Sequence, residues 1–568
     1  MRPPILRHRI VGWVDPAAAF TILCGDRDRA FWLDSGAYAE TGMSYLGVGT
    51  ATMTASVSES RVRIDADPGS NRQAGTREGT VFEMLRTPFD GGGELAPVPL
   101  GWIGWLGYEL RHQTMPETPS RARTSPPGLR DGELPDASLV WVDRLIAFDH
   151  AARTVELVAL GRDWAGPLAD WRDEAVAGLG VALDMALDEA VVGLGAGPSA
   201  ALDMAWKAPD VAPVVAPGTG RDAAPGTGLD AAPESTPDGV TDPARASAPT
   251  GASARRAAGV PRDRLGTAPT ARWRDTPAAY LAKIDACLEA IREGEAYQLC
   301  LTDEVTVDVH PDPVRTWLAL REANPSHHGG FLRMGGTCLL SSSPETFLSV
   351  GLDRIASSRP IKGTRPRGAT EAEDARLRDE LHSNEKERAE NLMIVDLMRN
   401  DLGRVCDFET VTVPELFAVE TYAHVHQLVS TVRGRLAEGR DSIDAVLACF
   451  PAGSMTGAPK LRATAILDEL EGRDRGPYSG AFGWFGVDGS VELAMTIRSI
   501  VLTAQGARIG AGGGITSASD PHEELLEVQL KAAALLAVLG VDAGLPGARP
   551  AAAGPPGAEP PESQRGSG

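Results

Sequence analysis

The chain has 568 residues, 43% hydrophobic and 23% charged, a composition typical of a globular protein with a large core that excludes a collagen-like or wholly disordered chain. Its 77 acidic and 55 basic residues give a net charge of −22. This charge repels phosphates, and because we find no basic patch that would offset it, we expect no nucleic-acid partner.

Cysteine spacing and hydropathy bear on the compartment. The six cysteines lie far apart with no CxxC pair, so neither a disulfide framework nor a zinc ribbon is expected. The N-terminus lacks the apolar core of a signal peptide, and no run of about 18 apolar residues occurs. We therefore expect a cytoplasmic protein with reduced thiols and no membrane association.

Two segments divide the chain. Residues 195–271 are mostly Ala, Pro, Gly, Asp, Thr and Ser and contain the near-repeat APGTGRDAAPGTGLDAAP, and residues 543–568 have a similar composition. Such segments cannot bury enough apolar surface to offset chain entropy, so they predict a disordered linker or insertion and a disordered tail. An N-terminal accessory region, 1–194, and a catalytic domain, 272–542, remain.

The N-terminal region alternates short predicted strands, such as 30–33 and 139–148, with glycine-rich turns that include GWIGWLGYEL at 101–110. It contains no obvious catalytic cluster. The second block mixes predicted strands at 337–341, 491–503 and 507–511 with two well-marked helices. This mixture predicts an α+β fold with large sheets.

The first of these helices carries two carboxylates on one face. Thr370 and Glu373 have the spacing of a capping box, and the segment that follows, through residue 405, is rich in helix formers. Glu387 and Glu390 are three residues apart, so both project from the same side of the helix.

The second helix carries another such pair. It begins with Asp520 as N-cap and Pro521 at the first helical position and ends at Gly540. One stripe of it holds Glu524, Glu527 and Lys531. Two carboxylate pairs on two helices could converge on a hard cation such as Mg²⁺, although a solvated acidic face explains either pair taken alone.

Two further features point to an anionic ligand. The glycine run GAGGGITS at 510–517 precedes the second helix, where glycine amides and a helix N-terminus can receive an anion; a tight turn is the alternative. Arg498 lies among apolar neighbours in a predicted strand, so its guanidinium needs an anionic partner, either a ligand or an internal carboxylate.

Taken in order, the motifs of the second block resemble the chorismate-utilising enzymes, a family that includes anthranilate synthase component I, aminodeoxychorismate synthase component I, and the isochorismate and salicylate synthases. The motifs are GEAYQLCLT (294–302), SSSPETFL (341–348), RPIKGTRPRG (359–368), AENLMIVDLMRNDLGRV (389–405), FPAGSMTGAPKLRA (450–463), YSGAFGW (478–484) and GAGGGITSASDPHEELLEVQLKAA (510–533). The N-terminal FWLDS (31–35) and GYE (107–109) resemble the accessory half of the amination branch.

The resemblance implies a large αββα sandwich of the anthranilate synthase and aminodeoxychorismate synthase component I type, with chorismate bound over Mg²⁺. It implies metal ligation by Glu390 and Glu527, supported by Glu387 and Glu524. It also implies that substrate is held by Arg498, Tyr478, Thr456, Lys531, Gln298 and the amides of Gly512 and Gly513.

Two positions separate the chemistries of the family. Water-adding members have a catalytic lysine where this chain has Gln298, and glutamine cannot act as a base at neutral pH. Lys362 stands where aminodeoxychorismate synthases typically have lysine and anthranilate synthases typically have alanine. The resemblance therefore implies that Lys362 attacks ring C2 of chorismate while the C4 hydroxyl leaves, and that ammonia then displaces the lysine to give 4-amino-4-deoxychorismate.

These roles set expectations for two pKa values. Lys362 should be partly neutral, in a desolvated site near another cation such as Arg365. Glu345 should be the general acid for the leaving hydroxyl, held protonated by burial. The alternatives are a carboxylate-binding or surface role for Lys362, and a structural pairing of Glu345 with an arginine.

The FWLDS segment resembles the region where relatives hold tryptophan, so Asp34 and Ser35 either line a tryptophan pocket or form a strand end and turn. One departure from the family pattern is Gln427, which stands where a histidine is common. His426 precedes it, and the role of that histidine cannot be transferred to it.

No cysteine lies in a glutaminase motif, so we expect ammonia to come from a separate glutamine amidotransferase subunit. The product would serve folate or another p-aminobenzoate-derived metabolite. Alternatives are anthranilate synthase component I, a relative making 2-amino-2-deoxyisochorismate, and a non-catalytic subunit that binds chorismate or tryptophan.

Overall fold

Two twelve-stranded antiparallel sheets form the centre of the protein. The computed structural model describes residues 4–68, 70–87, 98–116, 134–194, 269–422 and 424–543, with backbone only for 185–194. The predicted tail, 543–568, and the predicted linker, 195–271, lie almost entirely outside the described residues.

The first sheet has the strand order β1-β10-β9-β3-β2-β13-β14-β23-β24-β12-β11, with β20 also on β12. Its strands are β1 Ile5–Ile10, β2 Ala30–Asp34, β3 Met43–Val48, β9 Arg144–Asp149, β10 Thr154–Leu160, β11 Ala271–Trp273, β12 Gln298–Val307, β13 His328–Met334, β14 Thr337–Ser343, β20 Gly457–Ala458, β23 Ser499–Thr503 and β24 Gly506–Thr516.

The second sheet has the order β17-β19-β16-β15-β22-β21-β7-β8-β4-β5-β6, with β18 also on β19. Its strands are β4 Ala51–Ala55, β5 Arg61–Ala66, β6 Gly75–Glu78, β7 Gly101–Leu106, β8 Ala137–Val142, β15 Thr346–Val350, β16 Ile355–Ser358, β17 Ile361–Pro366, β18 Thr412–Thr421, β19 Val425–Arg435, β21 Ala481–Gly486 and β22 Val491–Met495. Strands from before residue 195 and strands from after residue 268 occur in both sheets. The two parts of the chain therefore build one sandwich together.

The described helices are α1 Pro16–Leu23, α2 Val81–Leu85, α3 Arg111–Thr114, α4 Pro167–Leu194, α5 Pro277–Arg292, α6 Pro313–Ala323, α7 Glu371–Ser383, α8 Glu385–Gly403, α9 Ser442–Cys449, α10 Lys460–Glu471 and α11 Pro521–Val538. Helices α5, α6, α10 and α11 pack on the first sheet, and α7, α8 and α9 pack on the second. Helices and sheets therefore form the predicted α+β architecture with an αββα order of layers. None of the helices in the described ranges is long and apolar enough to span a membrane.

Five local predictions are wrong in detail. The glycine-rich segment at 101–106 is the buried strand β7 rather than a turn, because its glycines let strands approach closely: a Cβ on Gly104 would lie 2.1 Å from the Ser138 carbonyl oxygen. The predicted strand 139–148 is a hairpin, β8 and β9, and the glycine run at 510–516 belongs to strand β24.

The other corrections concern breaks in longer elements. The predicted strand 491–503 is split into β22 and β23, which belong to different sheets, and Arg498 at the break has a left-handed φ of 51°. The predicted long helix after Thr370 is split into α7 and α8 at Asn384, whose extended backbone and side chain cap α8 by accepting from the Glu387 amide. Helix α11 begins after Asp520 as predicted.

Candidate active site

A cavity of about 1390 Å³ contains most of the predicted site residues. Its walls come from strands β12, β17 and β24, from helices α8 and α11, and from the loop after β14. The predicted residues that line it are Glu345, Lys362, Glu387, Glu390, Tyr478, Arg498, Gly512, Glu524, Glu527, Lys531 and Ser35. Residues separated by up to about 500 positions in the chain therefore meet in one cavity.

Lys362 projects from β17 into this cavity, with its side chain 16% exposed and its Nζ 3.6 Å from a carboxylate oxygen of Glu390. Burial lowers the pKa of the ammonium group, but Glu390, together with the Cys300 thiol, Glu345 and Glu527, raises it above its usual value. The expected desolvation is present, whereas the expected lowering of the pKa is wrong because the nearby carboxylates outweigh it. Arg365, the expected neighbouring cation, is paired with Glu380 and Glu387 instead.

Glu345 lies two residues after the end of β14 and is 7% exposed. Burial raises its pKa to about 7, against smaller opposite effects of a hydrogen bond from Ser454 and of the Lys362 charge. A carboxyl group with this pKa holds a proton in part of the molecules near neutral pH and can donate it.

The four predicted metal carboxylates face the cavity from two helices. Glu387 and Glu390 lie on α8, and Glu524 and Glu527 lie on α11. Burial, Glu387 and Glu524 all act to raise the pKa of Glu390, and the Lys362 charge opposes them. The like charges therefore lie close enough to disfavour one another, which is the condition that a cation relieves.

Each of these carboxylates is held by a protein cation. Glu390 faces Lys362, Glu387 faces Arg365 at 3.3 Å, Glu524 faces Lys386 at 3.7 Å, and Glu527 faces Lys531 at 2.6 Å. Within the described ranges, no three His, Cys, Asp or Glu side chains are gathered closely enough to hold a metal ion. The oxygen donors fit Mg²⁺ in kind, and their coordination of the ion remains a prediction.

Arg498 contributes a cation that no described carboxylate neutralises. Its carbonyl accepts from the Ser342 amide, while its guanidinium faces the cavity without an ion pair among the residues described. Burial lowers its pKa, and Tyr478 and Glu527 raise it. The internal salt bridge considered for Arg498 is therefore not formed.

Gln298 lies beside Lys362. Its side chain is fully buried, and neither its amide nitrogen nor its amide oxygen has a hydrogen-bond partner. A Cβ placed on Gly514 would lie 2.8 Å from Gln298 Nε2 and 3.2 Å from Lys362 Nζ. Gly514, which sequence reasoning did not single out, therefore leaves the space that both side chains occupy.

Other predicted residues lie outside the cavity wall. The Thr456 hydroxyl donates to the carbonyls of Ala452 and Gly453, and neither Thr456 nor Gly513 lines the cavity. The Gly512 carbonyl accepts from Lys531 Nζ at 2.9 Å. The glycine run thus shapes a strand wall rather than an anion-binding turn.

In the predicted tryptophan pocket, Asp34 is buried and its carboxylate accepts from Arg321 Nε at 2.7 Å, from the Gly36 amide and from Ser44. Ser35 lines the cavity, and its hydroxyl donates to the Met43 carbonyl. Asp34 is thus used by the protein itself, and tryptophan binding remains a prediction.

Among the cavity residues to which sequence reasoning gave no role are Lys386, Cys300, Ser454 and Gln427. Ser454 lies within the FPAGSMTGAPK motif, which was the available signal, and Lys386 precedes Glu387. His426, for which the sequence predicts no role, is buried, and its ring nitrogens contact Thr421 and Asp374.

The chain matches known proteins over most of its length. Residues 238–537, more than half of the chain, match a family model described as chorismate binding enzyme. Aminodeoxychorismate synthase of Streptomyces pristinaespiralis is 38% identical over 92% of this chain and 64% of that protein. Anthranilate synthase component 1 of Streptomyces coelicolor is 34% identical over 92% of this chain and 86% of that protein.

Solved structures confirm the predicted fold. Anthranilate synthase component I from Streptococcus pneumoniae superposes with a TM-score of 0.58 at 23% identity, covering 92% of this chain and 97% of that one. The isochorismate synthase MenF from Escherichia coli gives a TM-score of 0.55 at 15% identity, covering 95% of each chain.

The aminodeoxychorismate synthases of two Streptomyces species extend beyond the matched region, and the chain spans 64% of their length. The family itself follows from the matched model and from the S. coelicolor relative, most of which this chain covers. The chain belongs to the family of chorismate binding enzymes.

Proposed function

We propose that this protein aminates chorismate at C4 to give 4-amino-4-deoxychorismate. The observation that carries the proposal is the position of Lys362, whose Nζ projects into the same cavity as Glu345, the carboxyl group with a pKa raised to about 7. Relatives from S. pristinaespiralis and S. griseus named aminodeoxychorismate synthase, 38% identical over 92% and 94% of this chain, support this choice within the family.

Cations at one side of the cavity suit a substrate with two carboxylates. Arg498 has no described anionic partner, and Lys531 reaches both Glu527 and the Gly512 carbonyl. Glu390 and Glu527, with Glu387 and Glu524, would hold Mg²⁺, which when bound supplies positive charge for a substrate carboxylate. This arrangement explains how a protein with a net charge of −22 binds a dianion.

Lys362 acts as the nucleophile after losing its proton, and because Glu390 and Glu527 are among the groups that raise its pKa, their engagement with Mg²⁺ would favour the free amine. The Lys362 Nζ forms a bond to ring C2, the two conjugated ring double bonds each shift by one position, and the C4 hydroxyl departs as water with a proton from Glu345. Ammonia then attacks C4, the electrons shift back, and the bond between C2 and Lys362 breaks. The buried amide of Gln298 beside Lys362 replaces the base that water addition would need.

Glu345 supplies the proton that converts the departing hydroxyl into water. Burial keeps the carboxyl partly protonated near neutral pH, and a hydrogen bond from Ser454 fixes its side chain. A general acid positioned in this way contributes a rate factor of about 10²–10⁴.

Ammonia is supplied by a separate glutamine amidotransferase subunit. All six cysteines of this chain are buried, and burial raises the pKa of each thiol. These thiols are therefore unsuited to nucleophilic attack on glutamine, and their lack of disulfides fits a cytoplasmic location.

Anthranilate synthesis is the second candidate, because the S. coelicolor anthranilate synthase component 1 is matched over 86% of its length. That reaction adds ammonia at C2 and eliminates pyruvate, and it needs no lysine nucleophile. The products of the two reactions differ, so a single assay separates them.

The test incubates the purified full-length protein with chorismate, Mg²⁺ and ammonium at mildly alkaline pH. Products are resolved by liquid chromatography and mass spectrometry, with and without a lyase that releases p-aminobenzoate. Aminodeoxychorismate that the lyase converts to p-aminobenzoate is expected, and Lys362→Ala should lose at least about 10³-fold in turnover. Anthranilate with pyruvate, or full amination by Lys362→Ala, would overturn the proposal.

A further inference from the structure

The strand that carries Lys362 is irregular at that residue. Along β17 and its antiparallel partner β19, Ile361 lies opposite Val429 and Thr364 lies opposite Gln427, with a register shift between the two pairs. Three steps along β17 therefore match two steps along β19, so β17 contains one extra residue and forms a β-bulge. A bulge changes the direction of the side chains within it. The direction of Lys362 thus depends on the contacts that hold this bulge in place.

Gly363 fixes the backbone on one side of Lys362. Its φ of 80° lies in the left-handed region, and an added Cβ would lie 2.8 Å from Leu381 Cδ1 and 2.9 Å from Glu387 Cδ. A side chain at this position would therefore strain the backbone and clash with residues of both α7 and α8. Because the bulge packs directly against these helices, the placement of Lys362 depends on how α8 is held against β17.

Asn391 holds α8 against the start of β17. Its side chain is fully buried, and its Nδ2 donates to the Pro360 carbonyl at 3.3 Å. The amide of Ser430, on β19, donates to the same carbonyl at 3.2 Å, and the Ser430 hydroxyl donates to Asn391 Oδ1 at 2.5 Å. These three hydrogen bonds close a ring, which we call the Asn391 ring, that joins α8 and β19 to the residue before β17.

The Asn391 ring lies beside the two segments that carry the proposed nucleophile and a proposed metal ligand. Pro360 is two residues before Lys362, and Asn391 follows Glu390 directly along α8. In the cavity, Lys362 Nζ and the Glu390 carboxylate are 3.6 Å apart. A buried hydrogen-bond network whose members are paired makes a region rigid. The Asn391 ring therefore fixes the spacing between the backbone of Lys362 and the backbone of Glu390.

We propose that Asn391 is a positioning residue that sets the place of Lys362 relative to Glu390 and to bound chorismate. This inference rests on the proposed function, in which Lys362 attacks ring C2. Neither Asn391 nor Ser430 lines the cavity, so Asn391 acts through the backbone at Pro360 and does not touch the substrate. A displacement of a reacting group by about 1 Å lowers a rate by about 10²-fold.

The test introduces Asn391→Leu into the full-length protein, which keeps a side chain of similar shape and removes both hydrogen-bonding groups. We expect kcat for amination at saturating ammonia to fall about 10²-fold. The KM for chorismate should change less than about threefold, because Arg498 and Lys531, the proposed substrate-binding cations, lie on other elements. A crystal structure of the variant should show Lys362 Nζ displaced relative to Glu390 by about 1 Å or more.

A second variant separates positioning from stability. Asn391→Leu alone leaves the buried Ser430 hydroxyl without its acceptor, which lowers stability, whereas Asn391→Leu combined with Ser430→Ala removes both partners at little cost. The urea midpoint of unfolding should therefore be closer to that of the wild type in the double variant than in the single one. The kcat of the double variant should stay about 10²-fold low. Recovery of kcat together with the midpoint would show that Asn391 only stabilises the fold, and would overturn the inference.

Asn400→Leu is the matched control, because it makes the same change at an exposed position of the same helix. It should leave kcat and the position of Lys362 unchanged, and an equal loss of kcat in this control would overturn the inference. An Asn391→Leu enzyme with the wild-type kcat, or with a low kcat and an unmoved Lys362, would also overturn it. A wild-type protein that never forms aminodeoxychorismate would instead overturn the proposed function, while the Asn391→Leu structure would still report whether the Asn391 ring places Lys362.

Discussion

Two buried charged clusters on either side of the cavity wall contrast sharply. Behind the wall, all five N–H groups of Arg475 have acceptors: two on Glu471, and one each on Ser479 and the carbonyls of Met455 and Cys300. In front of it, Lys362 has Glu390 only at 3.6 Å, and Gln298 has no hydrogen bond.

The difference indicates what each cluster does. A fully satisfied buried network fixes one arrangement of the chain, whereas unpaired buried groups cost free energy unless a ligand pairs with them. The Arg475 side chain donates to the backbone carbonyls of two cavity residues, Cys300 and Met455. Its backbone amide donates to Glu109 of the accessory region. The Arg475 cluster therefore stabilises the cavity wall. The Lys362 and Gln298 cluster leaves polar groups free to pair with a ligand.

The largest effect is expected from breaking the satisfied cluster. Arg475→Met removes every side-chain donor at this position and leaves the buried Glu471 without its ion-pair partner, so the free energy of unfolding should fall by about 3–5 kcal/mol. Chemical denaturation measures the change. Arg462→Met is the control, because its pair with Glu295 is about half exposed and should contribute at most about 1 kcal/mol. If Arg475→Met lowers the free energy of unfolding by less than about 1 kcal/mol, the Arg475 cluster does not stabilise the fold in the way proposed.

The second prediction concerns the acid in the unsatisfied cluster. Glu345→Gln cannot donate a carboxyl proton, so kcat should fall about 10²- to 10³-fold. The pKa of Glu345 is raised to about 7 by burial, so the reactive acid form is present below that pH and is lost as the pH rises through it. The wild-type kcat at saturating ammonia should therefore decline above about pH 7.

The pH profile of the variant provides the control for this assignment. Glu345→Gln should lack the decline near pH 7, while its unfolding transition should stay close to that of the wild type. A variant that keeps both the wild-type kcat and its decline above about pH 7 would show that another group donates the proton.

The third prediction tests the space between Lys362 and Gln298. Gly514→Ala would place a methyl group 2.8 Å from Gln298 Nε2 and 3.2 Å from Lys362 Nζ, so one of the side chains must move. Overpacking of this kind costs about 1–3 kcal/mol, and kcat/KM should fall about 10- to 100-fold. Gly403→Ala, where an added Cβ meets no atom within 4 Å, should leave kcat/KM unchanged.

The local pattern of the chain predicted elements whose signals are local. The Asp520 cap, the α11 stripe with Glu524 and Glu527, and strand β2 appear as expected. Errors arose where tertiary packing overrides local propensity: the glycines of β7 read as a turn because nothing nearby in sequence reveals the close strands they face.

The candidate site shows the same limit. Motif resemblance placed Lys362, Glu345 and the four carboxylates, and all of them line one cavity. The sign of the Lys362 pKa shift could not be read from its own motif, because it depends on carboxylates from the loop after β14 and from two helices. The role of Arg475 likewise depends on partners spread from Glu109 to Ser479, which no spacing rule connects.

The smallest predicted effect sharpens the contrast from the unsatisfied side. Glu527 and Lys531 are 2.6 Å apart, but their side chains are 53% and 30% exposed, so their coupling in stability should be only about 0.3–0.5 kcal/mol. A double-mutant cycle with Glu527→Gln and Lys531→Gln measures it by chemical denaturation. A weak coupling means that Glu527 can exchange Lys531 for a bound cation at little cost, as a proposed Mg²⁺ ligand must. A coupling above about 2 kcal/mol would make this pair a stabilising ion pair like Arg475 and Glu471. Glu527 would then belong to the structural cluster and not to the ligand-binding one.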